Sequence, residues 1–210
     1  MARFDMVHDA QDVYRRLLDA MARPGKINDL GPVREKIPPE AALAPGLAVM
    51  ALTLLDGEVS FAVLSQAPEA AERYLKWSTR SRPAPLTEAD YIFVDKHLNA
   101  GETAALLQGA KRGTLLRPDQ SATLFLAVTR LAAPGEGVPG TIHLRLKGPG
   151  IPGERPGAVV GLPRLWIAGR CQVNSEYPLG IDMVLVDSAG RIMALPRTTT
   201  VEEGAPVWDM

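Results

Sequence analysis

The stretch Tyr91-Ile-Phe-Val94, set between Asp90 and Asp95, does most to decide the class of fold. It is an apolar run without a polar position, and short runs of this kind are typical of strands buried on both faces. Helical patterns precede it and follow it along the chain. Helices that alternate with strands indicate an α/β fold built in layers.

Several helices are predicted around this strand. The clearest covers residues 9–23, where apolar residues recur at spacings of three and four. Asp9 is its expected N-cap, and Pro24-Gly25 is expected to end it. Its apolar positions are Ala10, Val13, Tyr14, Leu17, Leu18 and Met21. The other predicted helices cover residues 46–55, 68–79 and 101–108.

Further strand patterns complete the expected sheet. Alternating Val59, Phe61 and Val63 predict a half-buried strand over 58–64, and later strands are predicted over 121–128 and 141–146. Residues 181–186 and 192–195 flank the turn Asp187-Ser-Ala-Gly190, which predicts a hairpin near the C-terminus. Antiparallel strands this close in sequence make the sheet mixed rather than wholly parallel. We expect a single three-layer domain over residues 1–210.

The last third of the chain is rich in glycine and proline. Residues 147–157 contain too many of both to form the interior of a helix or strand. This region is therefore expected to consist mainly of loops, apart from the hairpin.

Composition and charge exclude several functional classes. The formal net charge is −1, with no basic stripe that would bind a nucleic-acid backbone. Cys171 is the sole cysteine, so it forms no internal disulfide and is expected to be a small buried side chain. The most apolar window, residues 41–55, is too short to span a bilayer and is broken by Pro45-Gly46. Without a signal peptide, the chain is expected to be cytoplasmic, with no nucleic-acid or membrane partner.

Motifs that carry chemistry are missing from the sequence. It contains no G-x-x-x-x-G-K-[ST] loop and no G-x-G-x-x-G between a strand and a helix. It also contains no H-E-x-x-H or Cys-x-x-Cys zinc motif and no G-x-S-x-G nucleophile elbow. A single cysteine cannot hold an iron–sulfur cluster, which takes several thiolates. We therefore predict no catalytic residue, no metal and no cofactor.

Asp95 and His97 follow the buried strand at its carboxyl end, where α/β proteins tend to bind ligands. A role in ligand contact and a purely structural role both stay open for this pair. His8, before the first helix, and His143, in the strand predicted over 141–146, are interpreted as structural positions.

Two segments have the composition of an anion site. Lys147-Gly-Pro-Gly150 would place a cation beside open backbone amides, or form a plain turn after a strand. Arg197, Thr198 and Thr199 follow the last predicted strand, and an arginine fork beside hydroxyl groups suits a phosphate or a carboxylate. The same residues could instead make internal contacts that close the hairpin. Arg197, Thr198, Thr199 and Lys147 are thus the candidate ligand-binding residues.

Several strings in the sequence resemble a known family. They are Val7-His-Asp-Ala-Gln11, Arg23-Pro-Gly25, Lys147-Gly-Pro-Gly-Ile151, Tyr177-Pro-Leu-Gly-Ile-Asp-Met-Val-Leu-Val186 and Ala194-Leu-Pro-Arg-Thr-Thr199. Their order and spacing over nearly the whole chain are similar to those of the PhnH subunits of bacterial carbon–phosphorus lyase. Residues 151–163 match nothing in this resemblance.

The resemblance implies a subunit of the carbon–phosphorus lyase core complex, acting with PhnG, PhnI, PhnJ and PhnL. In that system an early step attaches a phosphonate to the ribose of ATP with loss of adenine, and PhnG, PhnH and PhnL assist PhnI there. Radical cleavage of the carbon–phosphorus bond belongs to PhnJ. The resemblance also implies a homodimer with a fold similar to type I pyridoxal-phosphate transferases, without the cofactor.

Three functional hypotheses follow. In the first, the chain is a non-catalytic or co-catalytic subunit that works by assembly. In the second, it is an independent enzyme or binder that holds a phosphate or phosphonate through Arg197, Thr198, Thr199 and Lys147. In the third and weakest, it is a pyridoxal-phosphate enzyme, although no lysine stands in a context typical of a Schiff-base residue.

Overall fold

The computed structural model describes residues 3–133, 135–136 and 138–205. Five α-helices lie in this part of the chain: α1 His8–Ala22, α2 Pro45–Leu54, α3 Pro68–Thr79, α4 Ala100–Gly109 and α5 Arg164–Val173. The strands are β1 Ile27–Asp29, β2 Ser60–Ser65, β3 Arg82–Pro83, β4 Tyr91–Asp95, β5 Thr123–Val128, β6 Arg130–Ala132, β7 Thr141–Lys147, β8 Arg155–Val160, β9 Asp182–Asp187, β10 Arg191–Leu195 and β11 Thr200–Glu203. The ends of the predicted domain, residues 1–2 and 206–210, lie outside the described residues.

Seven strands form one mixed sheet in the order β1-β10-β9-β5-β4-β2-β3. The pairs from β3 across to β9 are parallel, whereas β9–β10 and β10–β1 are antiparallel. The predicted α/β class and the mixed sheet are therefore confirmed. The predicted hairpin is the β9–β10 pair, although the chain continues beyond it into β11.

Apolar layers cover this sheet on both faces. On one face, Phe61, Phe93 and Phe125 pack against side chains of α1, α2 and α3. On the other face, Ile92 and Leu124 pack against α4, α5 and a second sheet. Because both faces are covered, β2 is buried on both sides rather than half-buried, so the prediction made from its alternating pattern is wrong.

Helix α2 is apolar around its whole circumference. Every residue from Gly46 to Leu52 is buried, because the helix lies between the large sheet and the outer helices α1 and α3. The apolar window at 41–55 is therefore a core helix. Among residues 3–133, 135–136 and 138–205, no helix combines the length and apolar character that a bilayer crossing requires.

The second sheet is antiparallel, with the order β11-β7-β8-β6. The sequence did not predict β8 or α5. The expectation that residues 147–157 hold no strand interior is wrong for residues 155–157, which belong to β8. Pro156 is tolerated in β8 because β6 pairs only with the later residues 158–160, so one side of β8 is open at Pro156. Gly157 lies against Leu144, and a Cβ there would reach the Leu144 Cβ at 3.5 Å.

The start of α1 differs from the prediction. The carboxylate of Asp5, not that of Asp9, accepts hydrogen bonds from the backbone N–H groups of Val7 (2.8 Å) and His8 (3.0 Å). The carboxylate of Asp9 instead accepts from the Asp5 N–H at 2.8 Å and forms an ion pair with Lys36. Asp9 lies inside the first turn and is not the N-cap.

The stability of the core should depend strongly on the side chain of Phe125, which is buried between the large sheet and the helices that cover it. Its ring stacks on Phe93 with a centroid separation of 5.2 Å and is fully buried. We expect Phe125→Ala to lower the free energy of unfolding by about 3–5 kcal/mol, measured by urea denaturation. Leu116→Ala, at a side chain that is 91% exposed, is the control and should change it by less than about 0.5 kcal/mol. Equal effects of the two substitutions would contradict this description of the core.

Candidate functional site

The loop between β10 and β11 holds three of the four predicted ligand residues. Arg197 is bound to Asp182 at the start of β9: its backbone N–H donates to Oδ1 at 2.7 Å and its Nη2 lies 2.6 Å from Oδ2. Its other donors reach the Pro118 carbonyl at 2.9 Å and the Ser121 hydroxyl. The Arg197 side chain is only 16% exposed, so its charge and its donors are used inside the chain.

A second arginine, Arg170 of α5, holds the same loop in place through hydrogen bonds to its backbone. It is 3% exposed, and its guanidinium donates to the carbonyls of Leu195 (3.0 Å), Pro196 (2.5 Å) and Thr199 (2.9 Å). Burial lowers the pKa of Arg170 to about 10. Sequence reasoning missed this role, because Arg170 lies 25 to 29 residues from the carbonyls that it binds.

The two threonines of the loop have different environments. Thr199 is buried, and its hydroxyl has no hydrogen-bond partner within the described residues. Thr198 lines a small open pocket of about 290 Å³ together with Arg197, Pro118 and Tyr177. Of the two threonines, Thr198 is the exposed one, so its hydroxyl is the one that a ligand in this pocket could reach.

Lys147 lies at the end of β7, in register with Thr200 of β11. The backbone of Gly148 packs against the same loop, and a Cβ at Gly148 would lie 2.7 Å from the Thr198 carbonyl oxygen. The Nζ of Lys147, however, forms an ion pair with Glu154 at 2.6 Å. Hydrogen bonding from Lys147 lowers the pKa of Glu154. The structure therefore brings the two predicted anion-binding segments together. Each of their cations is already paired with a carboxylate, Lys147 with Glu154 and Arg197 with Asp182.

A second cavity, of about 390 Å³, lies at the carboxyl ends of β4, β5 and β9. Asp95 and His97 line it, and the Asp95 carboxylate accepts the Ala44 N–H at 2.6 Å. After β2 the chain crosses to the face of α3, and after β4 to the face of α4. That change of face lies between β2 and β4, whereas the cavity is lined from β4, β5 and β9; it shares only the carboxyl edge of the parallel strands, the edge at which α/β proteins tend to bind ligands. Ligand contact by Asp95 or His97 stays a prediction.

The remaining reactive side chains stay apart. Among the described residues, no group of three or more His, Cys, Asp or Glu side chains is arranged to hold a metal ion. Cys171 is exposed on α5, so the expectation that it is buried is wrong. Neighbouring positions on a helix point in different directions, and on α5 the side chain of Arg170 faces the core while that of Cys171 faces outward.

The Arg197–Asp182 pair is largely shielded from water, so each charge needs the other to compensate for its burial. We expect Arg197→Met and Asp182→Leu each to lower the free energy of unfolding by about 3 kcal/mol, because each leaves a buried charge without its partner. The double variant should lose about 2 kcal/mol less than the sum of the two single losses. Urea denaturation of the four proteins measures this coupling.

The matched control for this cycle is the exposed pair Lys147–Glu154. Lys147→Met and Glu154→Leu should leave the urea midpoint nearly unchanged and show no coupling, because solvent screens exposed pairs. Additive losses at Arg197 and Asp182 would show that the pair is not structural.

Known proteins match nearly the whole chain. The family model of the bacterial phosphonate metabolism protein PhnH matches residues 2–202. A protein of Stutzerimonas stutzeri, the putative C-P lyase subunit protein HtxG, is 31% identical over 192 residues, covering 91% of this chain and 85% of the relative. The alpha-D-ribose 1-methylphosphonate 5-triphosphate synthase subunit PhnH of Rhizobium meliloti is 32% identical over 206 residues, covering 94% of this chain and 92% of the relative. The chain belongs to the PhnH family of bacterial phosphonate metabolism proteins.

Proposed function

We propose that this chain is a subunit of a carbon–phosphorus lyase complex and supports the transfer of a phosphonate to the ribose of ATP. The observation that carries the proposal is that the PhnH family model matches residues 2–202 of this chain. The two relatives also align over most of their own length. One of these relatives is named as a subunit of the synthase of alpha-D-ribose 1-methylphosphonate 5-triphosphate. That product name contains the ribose, phosphonate and triphosphate of the proposed reaction.

The geometry favours a role through assembly rather than through chemistry of its own. Arg197 is neutralised by Asp182, and Lys147 by Glu154. Arg170 donates from Nη1 and Nη2 to three carbonyls of the β10–β11 loop, while its buried Nε has no partner among the described residues. Arg197 and Arg170 thus hold the fold together and would have to give up stabilising contacts before they could hold a substrate. The exposed Lys147 would only have to exchange its pairing with Glu154.

The finer features belong to the same proposal. The partners are PhnG, PhnI, PhnJ and PhnL, the chain acts in the cytoplasm as a homodimer, and it requires no cofactor. The layered arrangement of helices around a mixed sheet supports a likeness to type I pyridoxal-phosphate transferases that have lost the cofactor. The reactions that form and break bonds take place on other subunits.

The test compares the isolated chain with the complete set of subunits. We expect the tagged chain to co-purify with PhnG and PhnI when they are expressed together, and the reconstituted set to release adenine from ATP and methylphosphonate. The set without this chain should release much less. The isolated chain should release none, and adenine release by the isolated chain would overturn the proposal.

The alternative function, an independent binder of phosphate or phosphonate, is supported by the small pocket at Thr198. It has a direct test in calorimetric titration of the isolated chain with phosphate, methylphosphonate and ATP. We expect no heat of binding at about 1 mM ligand, because the nearby cations are already paired. Binding heat that disappears in Thr198→Val but persists in the control Thr53→Val would favour the alternative.

A further inference from the structure

The cavity of about 390 Å³ at the carboxyl ends of β4, β5 and β9, here called the Asp95 cavity, combines apolar walls with uncommitted polar groups. Leu98, Leu126 and Val128 are among its walls. A concave, largely apolar site with a few polar groups is the usual form of a small-molecule pocket. A bare ion would occupy only a small part of this volume, so a ligand that fills it has an organic part.

The indole of Trp166 is the first of these polar groups. Trp166 is 2% exposed and packs in the core on its other sides, so the cavity is the open space next to its ring. Its N–H donates to no acceptor within residues 3–133, 135–136 and 138–205. A buried indole N–H normally has a hydrogen-bond partner, and a ligand in the cavity would supply one.

The N-terminus of α5 lies beside this indole. Pro163, the N-cap of α5, also lines the cavity and has no side-chain group that could accept a hydrogen bond, and the first turn contains no acid. The free backbone N–H groups at the start of a helix bind anionic oxygen atoms. The end of the cavity that is formed by Pro163 and Trp166 is therefore suited to an oxyanion.

Asp95, at the end of β4, supplies the opposite chemistry. Its Oδ2 accepts the Ala44 N–H at 2.6 Å, and its carboxylate forms no ion pair in the part of the chain that the structure describes. Lys96 and Asp187, which also line the cavity, are each in an ion pair with another residue. The second carboxylate oxygen of Asp95 is thus available to a cationic donor.

We propose that the Asp95 cavity binds a short zwitterion, in which an alkyl chain joins an ammonium group to an oxyanion that is a phosphonate or a carboxylate. The ammonium group donates to Asp95. The oxyanion accepts from the indole N–H of Trp166 and from the first turn of α5, and the apolar walls contact the alkyl chain. A ligand with only an anion would leave the charge of Asp95 unpaired, and a ligand with only a cation would leave the indole N–H unpaired.

Calorimetric titration of the purified chain tests the proposal. We expect 2-aminoethylphosphonate or β-alanine to bind with a dissociation constant below about 1 mM, and the tighter of the two identifies the oxyanion. Ethylphosphonate lacks the ammonium group and propylamine lacks the oxyanion, so each should bind at least about tenfold more weakly. For the same reason phosphate and methylphosphonate should give no heat at about 1 mM.

Two conservative substitutions test the residues. Asp95→Asn keeps an oxygen atom for the Ala44 N–H but removes the negative charge, and Trp166→Phe removes the indole N–H but keeps an aromatic ring. Each should weaken binding of the zwitterion about tenfold or more. The matched controls are Asp12→Asn and Trp77→Phe, at exposed positions outside the cavity, which should bind it like the wild type. Circular dichroism checks that all variants are folded.

The indole N–H of Trp166 also reports binding directly. In ¹H–¹⁵N correlation spectra its signal is the one that is missing from Trp166→Phe. We expect this signal to shift when the zwitterion is added, because the N–H gains an acceptor. The signal of Trp77, identified in the same way from Trp77→Phe, should stay in place.

No heat from either zwitterion at about 10 mM would overturn the inference. Equal affinities for 2-aminoethylphosphonate and ethylphosphonate would also contradict it, as would binding that is unchanged in both Asp95→Asn and Trp166→Phe. A Trp166 signal that stays in place during binding would show that the ligand lies elsewhere. The inference goes beyond the proposed function, which the co-purification with PhnG and PhnI tests separately.

Discussion

The structure depends on burying a parallel set of strands on both of its faces. Strands β4 and β5 lie in the middle of the large sheet, and Phe93 and Phe125 project to one face while Ile92 and Leu124 project to the other. A sheet of this kind gains its stability from the apolar surface that it removes from water on each side. One face is covered by α2, a helix apolar enough to be buried all round. The other is covered by α4, α5 and the second sheet.

The second sheet creates a structural problem that the arginines solve. The chain must pass from β10 in the large sheet to β11 in the small one, and the connecting loop leaves carbonyl groups in a buried place. Unpaired buried carbonyls are unfavourable, so each needs a donor. Arg170 supplies donors to three of them, and Arg197 ties the same loop to Asp182. Arg197, which has the character of an anion ligand in the sequence, therefore helps Arg170 to join the two sheets.

Sequence predicted what depends on local pattern and missed what depends on distant partners. The helix at 68–79 and the strand that begins at Tyr91 were located within a residue, because periodicity and a bounding proline or acid define them. Strand β8 was missed because its Pro156 and Gly157 are read locally as loop residues, and the open side that admits them is a property of the sheet. The sequence alone does not decide the internal role of Arg197, since its partners Pro118 and Asp182 are far away along the chain.

Some apolar side chains are exposed to water and contribute little to the folded core, but a partner could bury them. Leu115 and Leu116 are 75% and 91% exposed at the tip of a tight turn, in which Thr114 and Arg117 exchange two backbone hydrogen bonds of 3.1 Å. Tyr14 and Leu18 of α1 are also about half exposed, although their spacing predicts a core-facing helix side. A turn already closed by backbone hydrogen bonds has less conformational entropy to lose when a partner covers it, so its leucines can stabilise a complex at low entropic cost. Leu115 and Leu116 are adjacent and both exposed, so this turn offers an apolar surface that a partner could cover, in keeping with the proposed role in assembly.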